Sequence, residues 1–249
     1  MKQLAFLFGL IVIGACSTDE LATCIDDGPE GELCREYRYF NESPEGYVEF
    51  KLYGDSVAVS DFYTSGLRLA KTVTEWFENG QTQIISEQFP NEVSRIQTFH
   101  YNDIDSLWQV VYGANDSVLE ITYENGKRLQ EAYFHGGELN RFFVYRYFLD
   151  DGNLYRIYAY DKDSVQVSYR NFEYFSTGQN RVSSFTADHK LIGREVYNSE
   201  NGLLTFVQFT DSTSAVTERT DYIYDSALNL TERTEARAGQ TYKSVFLYY

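Results

Sequence analysis

The sequence predicts an all-β protein, an antiparallel meander of tandem β-hairpins with about 24 residues in each repeat. From residue 47 onward, short runs rich in Tyr, Phe, Val, Ile and Thr are separated by Gly, Asn, Asp and Ser about every ten to fifteen residues. Only 3 prolines occur among the 249 residues, so few positions obstruct strand pairing. No stretch has helical periodicity long enough to indicate a helix.

An internal repeat sets the number of strands. An aromatic residue, then a turn, then an aliphatic residue recurs at intervals of 22 to 27 residues, and a second set of turns lies between these. The recurring aromatic residues are Tyr53, Phe77, Tyr101, Tyr123, Tyr147, Tyr174, Tyr197, Tyr224 and Tyr249. Each period therefore holds two strands, and eight periods imply about sixteen. Pairs such as Asn79-Gly80 and Asn125-Gly126 supply the positive φ that tight hairpin turns need.

The shape of this sheet follows from its size and its patterning. Runs such as Thr217–Asp221 leave one side plainly polar, so we expect a half-buried sheet. Strand twist accumulates over sixteen strands, which excludes a flat sheet. We expect an open, twisted or superhelical single-layer sheet, and the alternative is a closed or curled barrel.

The N-terminus has the features of a signal peptide. Lys2 precedes the apolar run Leu4–Gly14, which is too short to span a bilayer. The run ends in Ile13-Gly14-Ala15-Cys16, which resembles the lipobox of bacterial lipoproteins. The resemblance implies cleavage after residue 15 and attachment of lipid, including palmitate, at Cys16. The alternative is an ordinary secretory signal with a chance cysteine.

The residues after Cys16 bear on location and domain organisation. Ser17–Glu20 is acidic without an Asp directly after the cysteine, which is similar to a surface-export signal of some Gram-negative lipoproteins. This implies an outer-membrane lipoprotein that can face the cell exterior. The predicted organisation is a signal peptide at 1–15, a lipidated acidic linker with a small disulfide loop at 16–46, and the repeat domain at 47–249.

The other two cysteines form an even pair. Cys24 and Cys34 enclose a loop rich in Gly, Asp and Glu, and an exported protein meets an oxidising compartment, so we predict a disulfide between them. Two free or metal-bound thiols are the alternative. Two cysteines without a nearby His make a poor zinc site, and we expect no metal and no cofactor.

Charge and motif content limit the function classes. The chain has 37 acidic and 21 basic residues, a net charge of −16, which argues against nucleic acid as a partner. The three histidines, His100, His135 and His189, lie near turns of three different repeats, and no nucleophile elbow or phosphate-binding loop occurs. We therefore expect that the protein is not an enzyme.

Part of the repeat resembles a known family. The segment Tyr222–Leu230, of pattern Tyr-x-Tyr-Asp-x-x-x-Asn-Leu, resembles the YD repeats of RHS proteins. Asp150–Leu154 and Glu124–Leu129 are similar to the same unit and to MORN-like repeats. The resemblance covers about residues 47 to 249 and implies β-hairpin repeats. It does not transfer the toxin-encapsulating function, because the chain is too short for a closed shell and shows no toxin segment.

Three kinds of side chain are candidate sites. Trp76 and Trp108 could bind a sugar or a peptide, and the alternative is that both pack in the sheet. Asp-Ser turns resemble an O-glycosylation sequon of Gram-negative exported proteins, and the alternative is that Asp and Ser only form the turn. The serines of these turns are Ser56, Ser106, Ser117, Ser164, Ser212 and Ser226. Asp-rich turns such as Asp161–Asp163 could hold calcium, but turn capping by Asp is favoured.

These observations together predict a function that does not involve catalysis. We expect a non-enzymatic, lipid-anchored cell-envelope protein whose sheet is a structural surface or an interaction surface for a protein or a glycan. Its membrane contact would be made by the N-terminal lipid. The alternative is a periplasmic or surface carrier or chaperone that holds an apolar cargo inside a curled sheet.

Overall fold

A computed structural model describes residues 33–248, apart from 54–56, 66, 91, 93, 104, 114 and 115. Cys16, Cys24 and the predicted signal peptide lie outside the described residues. The described chain contains eighteen strands: β1 (Leu33–Phe40), β2 (Ser43–Tyr53), β3 (Val57–Thr64), β4 (Leu67–Trp76), β5 (Thr82–Gln88), β6 (Arg95–Tyr101), β7 (Leu107–Tyr112), β8 (Ser117–Glu124), β9 (Lys127–His135), β10 (Glu138–Tyr147), β11 (Leu154–Asp161), β12 (Gln166–Tyr174), β13 (Gln179–Thr186), β14 (Leu191–Glu200), β15 (Leu203–Asp211), β16 (Val216–Tyr224), β17 (Leu230–Arg237) and β18 (Gln240–Tyr248). Within these ranges no helix is long and apolar enough to cross a membrane.

The strands form one closed antiparallel barrel. Each strand pairs with its neighbours in chain order, and β1 pairs with both β2 and β18. Tyr37 of β1 lies opposite Tyr47 of β2 on one side and Val245 of β18 on the other. The all-β antiparallel meander is confirmed, and the closed barrel rather than the open sheet is its form. Closure removes the two edges that an open sheet would expose, and strand twist curls the sheet toward it.

The barrel begins earlier in the chain than the repeat pattern suggested. β1 and the first residues of β2 lie in the segment 16–46 that was assigned to the linker. The structure therefore has eighteen strands where about sixteen were expected. β1 was missed because its sequence, Leu33–Phe40, contains three charged residues, Arg35, Glu36 and Arg38, which hide its alternation.

Successive side chains lie on two faces of the barrel wall. Most of the buried residues share one face, including Val48, Val110, Leu119, Val182 and Val207. Side chains converge on the concave side of a curved sheet and diverge on the convex side, so this is the inner face. Val110, Leu119 and Ile121 form its hydrophobic cluster. The outer face carries ion pairs and exposed apolar side chains such as Ile223, which is 53% exposed.

A recurrent turn joins several strands. In it, the Oδ1 atom of a leading Asp accepts hydrogen bonds from the backbone N–H groups two and four residues later, as Asp225 does from Ala227 at 2.8 Å and Asn229 at 2.9 Å. Asp161 and Asp211 do the same. The fourth residue has positive φ, +70° at Leu228. These carboxylates cap their own turns, and the described residues contain no cluster of three or more His, Cys, Asp or Glu side chains that could hold a metal ion.

Candidate functional site

A cavity of about 780 Å³ lies between two neighbouring hairpins, β4–β5 and β6–β7. Its lining combines the aromatic residues Phe77 and Trp108 with the polar residues Asn79, Gln81 and Asn102. The Nε2 atom of Gln81 donates a hydrogen bond to the carbonyl oxygen of Asp105 at 2.9 Å and so ties the two turns together. The cavity is therefore built from two repeats, and neither hairpin could form it alone.

Trp108 reaches this cavity because of a β-bulge. His100 pairs with Gln109 and Tyr101 pairs with Leu107, which leaves Trp108 as the additional residue on β7. A bulge redirects the side chain it carries. The Trp108 side chain is 39% exposed, and its ring centroid lies 6.4 Å from that of His100.

Phe77 provides a second ring beside the first. It is 39% exposed, and its ring meets that of Tyr101 edge to face, with 6.3 Å between the centroids. The Phe77 N–H group donates to the carbonyl oxygen of Gln81 at 2.8 Å, and Gly80, at a φ of +80°, donates back to Phe77 at 2.9 Å. Tyr101 donates its hydroxyl hydrogen to the Thr82 carbonyl oxygen at 3.0 Å, and burial raises the pKa of this phenol. Phe77 is thus presented by a hydrogen-bonded turn.

The polar part of the lining consists of amides and carboxylates. Asn79 donates to the Oε1 atom of Gln81 at 2.8 Å, and the Oδ1 atom of Asn102 accepts the Ser106 N–H at 2.9 Å. Glu78 and Asp105 add carboxylates, and none of the described lining residues is Lys or Arg. Exposed rings flanked by hydrogen-bonding amides can bind a ligand with one apolar face and a polar rim.

The two tryptophans that the sequence singled out have different positions. Trp108 lines the cavity, whereas Trp76, at the end of β4, is half-buried and is not part of the described lining. In the sequence, Phe77 is one of the recurring aromatic residues of the repeat, and no local pattern joins it with Trp108. Its place two residues before Asn79-Gly80 was the available signal, because it puts Phe77 at the base of a tight turn.

The other two histidines and Cys34 lie elsewhere on the barrel wall. The Nδ1 atom of His135 is 3.1 Å from the Ser117 hydroxyl, and that of His189 is 3.0 Å from the Tyr169 hydroxyl. Cys34 is buried in β1. Cys24 lies outside the described residues, so the disulfide between Cys24 and Cys34 stays a prediction.

The Asp-Ser serines occupy two kinds of position. Ser212 and Ser226 directly follow a capping Asp in exposed turns, and Ser164 has a φ of +62° in a third such turn. Ser106 and Ser117 stand at the starts of β7 and β8 and are half-buried. Ser56 lies outside the described residues. Glycosylation of these serines remains a prediction.

Comparison with known proteins supports the fold. No family model and no curated protein matches the sequence. Among solved structures, a porin-like protein from Bacteroides uniformis has a TM-score of 0.51 at 14% identity, over 89% of this chain and 98% of that one. A protein of unknown function from Bacteroides fragilis has a TM-score of 0.32 at 12% identity, over 38% of this chain and 80% of that one. A TcdB2-TccC3-Cdc42 structure has a TM-score of 0.31 at 11% identity, over 78% of this chain and 14% of that one.

The first of these similarities shows a shared barrel fold, and the other two are too weak to carry an argument.

Proposed function

We propose that the protein is a non-enzymatic, lipid-anchored cell-envelope barrel that binds a neutral carbohydrate in the cavity between Phe77 and Trp108. The observation that carries this proposal is the exposed Trp108 ring beside the Phe77 ring, in a cavity of about 780 Å³ that also contains three amide side chains. A sugar ring has an apolar C–H face that can lie on an aromatic ring and a rim of hydroxyls that amides can bind. The volume is within the range of small-ligand sites.

The charge of the lining favours a neutral sugar over an acidic one. Glu78 and Asp105 contribute carboxylates to a chain of net charge −16. An acidic glycan would bring like charge to this surface, and the described lining contains no Lys or Arg to compensate it. Carboxylates instead accept hydrogen bonds from neutral sugar hydroxyls.

The outer face supports a barrel that is tethered to a membrane and does not span one. A barrel within a bilayer needs an apolar band on its outer surface. Here the exposed apolar side chains of the outer face, such as Ile223, are interrupted by ion pairs on the strands, such as Lys243 with Glu232 at 2.6 Å and Arg219 with Asp221 at 2.7 Å. We infer that the barrel lies in water and that a lipid on Cys16 attaches it to the outer membrane.

Tryptophan fluorescence tests the carbohydrate proposal directly. A Trp76→Phe variant leaves Trp108 as the single tryptophan, because the chain has 2. Titration with neutral oligosaccharides should shift the emission of this variant in a saturable way. In calorimetry, Trp108→Ala should lose at least tenfold in affinity, whereas Trp76→Phe should bind as the unaltered protein does. An emission spectrum that no neutral oligosaccharide changes would refute the proposal.

A second candidate is favoured by the closure of the barrel. A closed wall with apolar side chains on its inner face is the arrangement that a carrier of apolar cargo requires. Val110, Leu119 and Ile121 pack on this face with Phe99 and Tyr133. Native mass spectrometry of protein purified without detergent would reveal a bound lipid-like molecule, and Leu119→Gln should reduce its amount. Protein of the bare polypeptide mass would exclude this candidate.

A further inference from the structure

We propose that the outer wall of the barrel, across β10 to β15, binds a linear acidic polysaccharide. One row of polar side chains crosses these strands, and each member lies directly opposite the next one on the neighbouring strand. This arginine row consists of Arg146, Arg156, Asn171, Ser183, Arg194 and Thr210. It contains three arginines and no carboxylate, in a chain that has 37 acidic residues against 21 basic ones.

The arginine row lies on the outer face of the wall. Residues directly opposite each other on paired strands share a face of the sheet, and successive residues of one strand alternate between the two faces. Val182 lies on the inner face, so Ser183 and the row that pairs with it lie on the outer one. Arg146 is exposed, and Arg156 and Arg194 are half-buried, so a ligand outside the barrel can reach all three arginines.

The arginines of the row form no ion pair with a carboxylate of the described chain. The Nη1 atom of Arg146 lies 3.5 Å from the carbonyl oxygen of Tyr145, and that of Arg194 lies 3.5 Å from the Ser214 hydroxyl. A guanidinium group has five N–H hydrogens, so both groups retain donors for a ligand.

Arg156 is held in place by neutral groups. Its Nε atom donates to the Oδ1 atom of Asn171 at 2.6 Å, and its Nη1 atom donates to the Tyr158 hydroxyl at 3.0 Å. Its Cζ atom lies 5.1 Å from the centroid of the Tyr169 ring. The N–H hydrogens of Nη2 remain for an anion, and a donor that is fixed before binding loses little entropy when the ligand arrives.

Two acidic side chains on the strands beside the row already have arginine partners outside it. Glu173 is paired with Arg181, and Asp221 is paired with Arg219 at 2.7 Å. These two pairs are each neutral, so they leave the charge of the arginine row unchanged.

The remaining acids around this wall are distant or engaged elsewhere. Glu200 is six residues along β14 from Arg194, which is about 20 Å at the rise of a strand. In the adjoining turns, Asp163 directly follows Lys162. The other turn carboxylates accept a backbone N–H group or pair with a lysine of their own turn, and they are Asp150, Asp151, Asp161 and Asp188. The middle of the wall therefore has a surplus of positive charge.

Two of the arginines repel each other in the unliganded protein. Arg146 on β10 and Arg156 on β11 stand directly opposite each other. Neighbouring strands are about 4.8 Å apart, and like charges placed opposite each other destabilise a sheet. An anion that contacts both guanidinium groups would relieve this repulsion, which gives the wall a reason to bind one.

The spacing of the row favours a polymer over a small anion. Arg146 and Arg156 are one strand apart, whereas Arg156 and Arg194 are three strands apart, about 14 Å. One small anion can contact the first two arginines and cannot also reach the third. A chain with repeated carboxylates can contact all three at once, and linked contacts raise the affinity far above that of one contact.

The shape and chemistry of the wall favour a polysaccharide over a peptide or a membrane. The closed barrel has no free strand edge, so an acidic peptide cannot bind it by adding a strand. The wall is convex, so a flat membrane would touch only a narrow strip of it. Beside the arginines, the side chains of Asn171 and Thr210 can bind sugar hydroxyls. This surface is separate from the Trp108 cavity and does not rest on the carbohydrate proposal.

Calorimetry tests the proposal with polygalacturonate as the acidic polysaccharide. The comparison probes are galacturonate as a small anion, dextran as a neutral polymer, polyglutamate as an acidic peptide, and vesicles that contain phosphatidylglycerol. The vesicles are tested with the Cys16→Ser protein, so that a lipid at residue 16 cannot attach it to them. We expect polygalacturonate to bind saturably and at least a hundredfold more tightly than galacturonate, with an affinity that falls when sodium chloride is raised, and dextran not to bind.

Variants locate the surface. Arg146→Gln should weaken polygalacturonate binding at least tenfold, and Arg146→Gln/Arg194→Gln should weaken it further. Arg141→Gln is the matched control on β10, because the Arg141 guanidinium lies 4.9 Å from the ring of Tyr133, which packs with the inner-face cluster, and it should bind as the unaltered protein does. Without ligand and at low salt, the thermal midpoint of Arg146→Gln should rise, which would also show that this variant folds.

Four results would overturn the proposal. They are the absence of saturable polygalacturonate binding, equal binding by Arg146→Gln/Arg194→Gln and the unaltered protein, equally tight binding of polyglutamate or of the vesicles, and loss of polygalacturonate binding in Trp108→Ala. The last result would place the polymer in the Trp108 cavity, and the third would assign the binding to charge alone or to a membrane.

Discussion

The hydroxyl of Tyr224, the last residue of β16, donates a hydrogen bond to the carbonyl oxygen of Leu204, near the start of β15, at 3.0 Å. The contact recurs around the barrel, with Tyr101 to Thr82, Tyr147 to Arg128, Tyr174 to Leu154 and Tyr248 to Leu230, at 2.8 to 3.0 Å. In each case a tyrosine ends an even-numbered strand and bonds the start of the preceding strand. The sequence repeat therefore places a ring of tyrosines at one end of the barrel.

Removing one of these hydroxyls should weaken the barrel without altering its shape. For Tyr224→Phe we expect the free energy of unfolding to fall by about 1 kcal/mol, because the Leu204 carbonyl loses a partly buried donor. Urea unfolding followed by circular dichroism measures the change. Tyr242→Phe is the control, since its hydroxyl bonds the exposed side chain of Gln240 and its loss should cost less. An unchanged urea midpoint for Tyr224→Phe would show that the contact does not stabilise the fold.

A glycine at one turn should stabilise the protein. Leu228 has a φ of +70° and is 65% exposed, so its side chain adds backbone strain and little burial. Left-handed backbone costs an L-residue about 1 kcal/mol, which Leu228→Gly should recover in part. The thermal midpoint should rise for Leu228→Gly and fall for the control Ala227→Gly, which only adds freedom to the unfolded chain. A lower midpoint for Leu228→Gly would contradict the assignment of strain.

Two half-buried tyrosines, Tyr145 and Tyr197, should make the fold sensitive to alkaline pH. Burial, reinforced by the nearby charge of Glu131, raises the pKa of Tyr145 to about 12, and burial with a hydrogen bond to Glu195 raises the pKa of Tyr197 to about 12. The unfolded phenols titrate near pH 10. Because the folded pKa is the higher one, the stabilisation is complete below pH 10 and is lost as the pH rises from 10 to about 12.

Two measurements check this alkaline window. Tyrosinate absorbance should rise in steps, with two of the 22 tyrosines ionising last. The urea midpoint should fall between pH 10 and 12, and it should fall less for the Tyr145→Phe/Tyr197→Phe variant, which has no such phenols to ionise. An equal fall in the variant and in the unaltered protein would assign the alkaline loss to other groups.

The lipid anchor gives a prediction for the intact cell. Cys16→Ser should abolish labelling by a palmitate analogue and release the protein into the aqueous phase of a detergent partition. Cys24→Ser should remain labelled, because only Cys16 follows the small residues Gly14 and Ala15. Labelling that persists in Cys16→Ser would show that the palmitate analogue is attached at a residue other than Cys16, and would contradict the predicted lipidation site.

Much of the fold could be predicted because its signals are local. Turn residues such as Asn79-Gly80 and the capping Asp225 determine a hairpin through backbone preferences and hydrogen bonds between residues fewer than five positions apart. The regular interval between aromatic residues predicts the spacing of the strands. β1 was missed because a run of charged residues resembles a linker when its partners are unknown. Trp108 was noticed as a tryptophan, but its cavity was not, since Phe77 and Trp108 belong to different hairpins.

The amino-acid order by itself determined the all-β class, the hairpin repeat and the turns, because each depends on backbone preferences and hydrogen bonds among near neighbours. Only the tertiary structure decided that the sheet closes, that a bulge exposes Trp108, and that Ser244 meets Glu36 across 208 positions of the chain. Closure and register depend on the twist and pairing of all eighteen strands together, so they cannot be predicted from any short segment of the sequence.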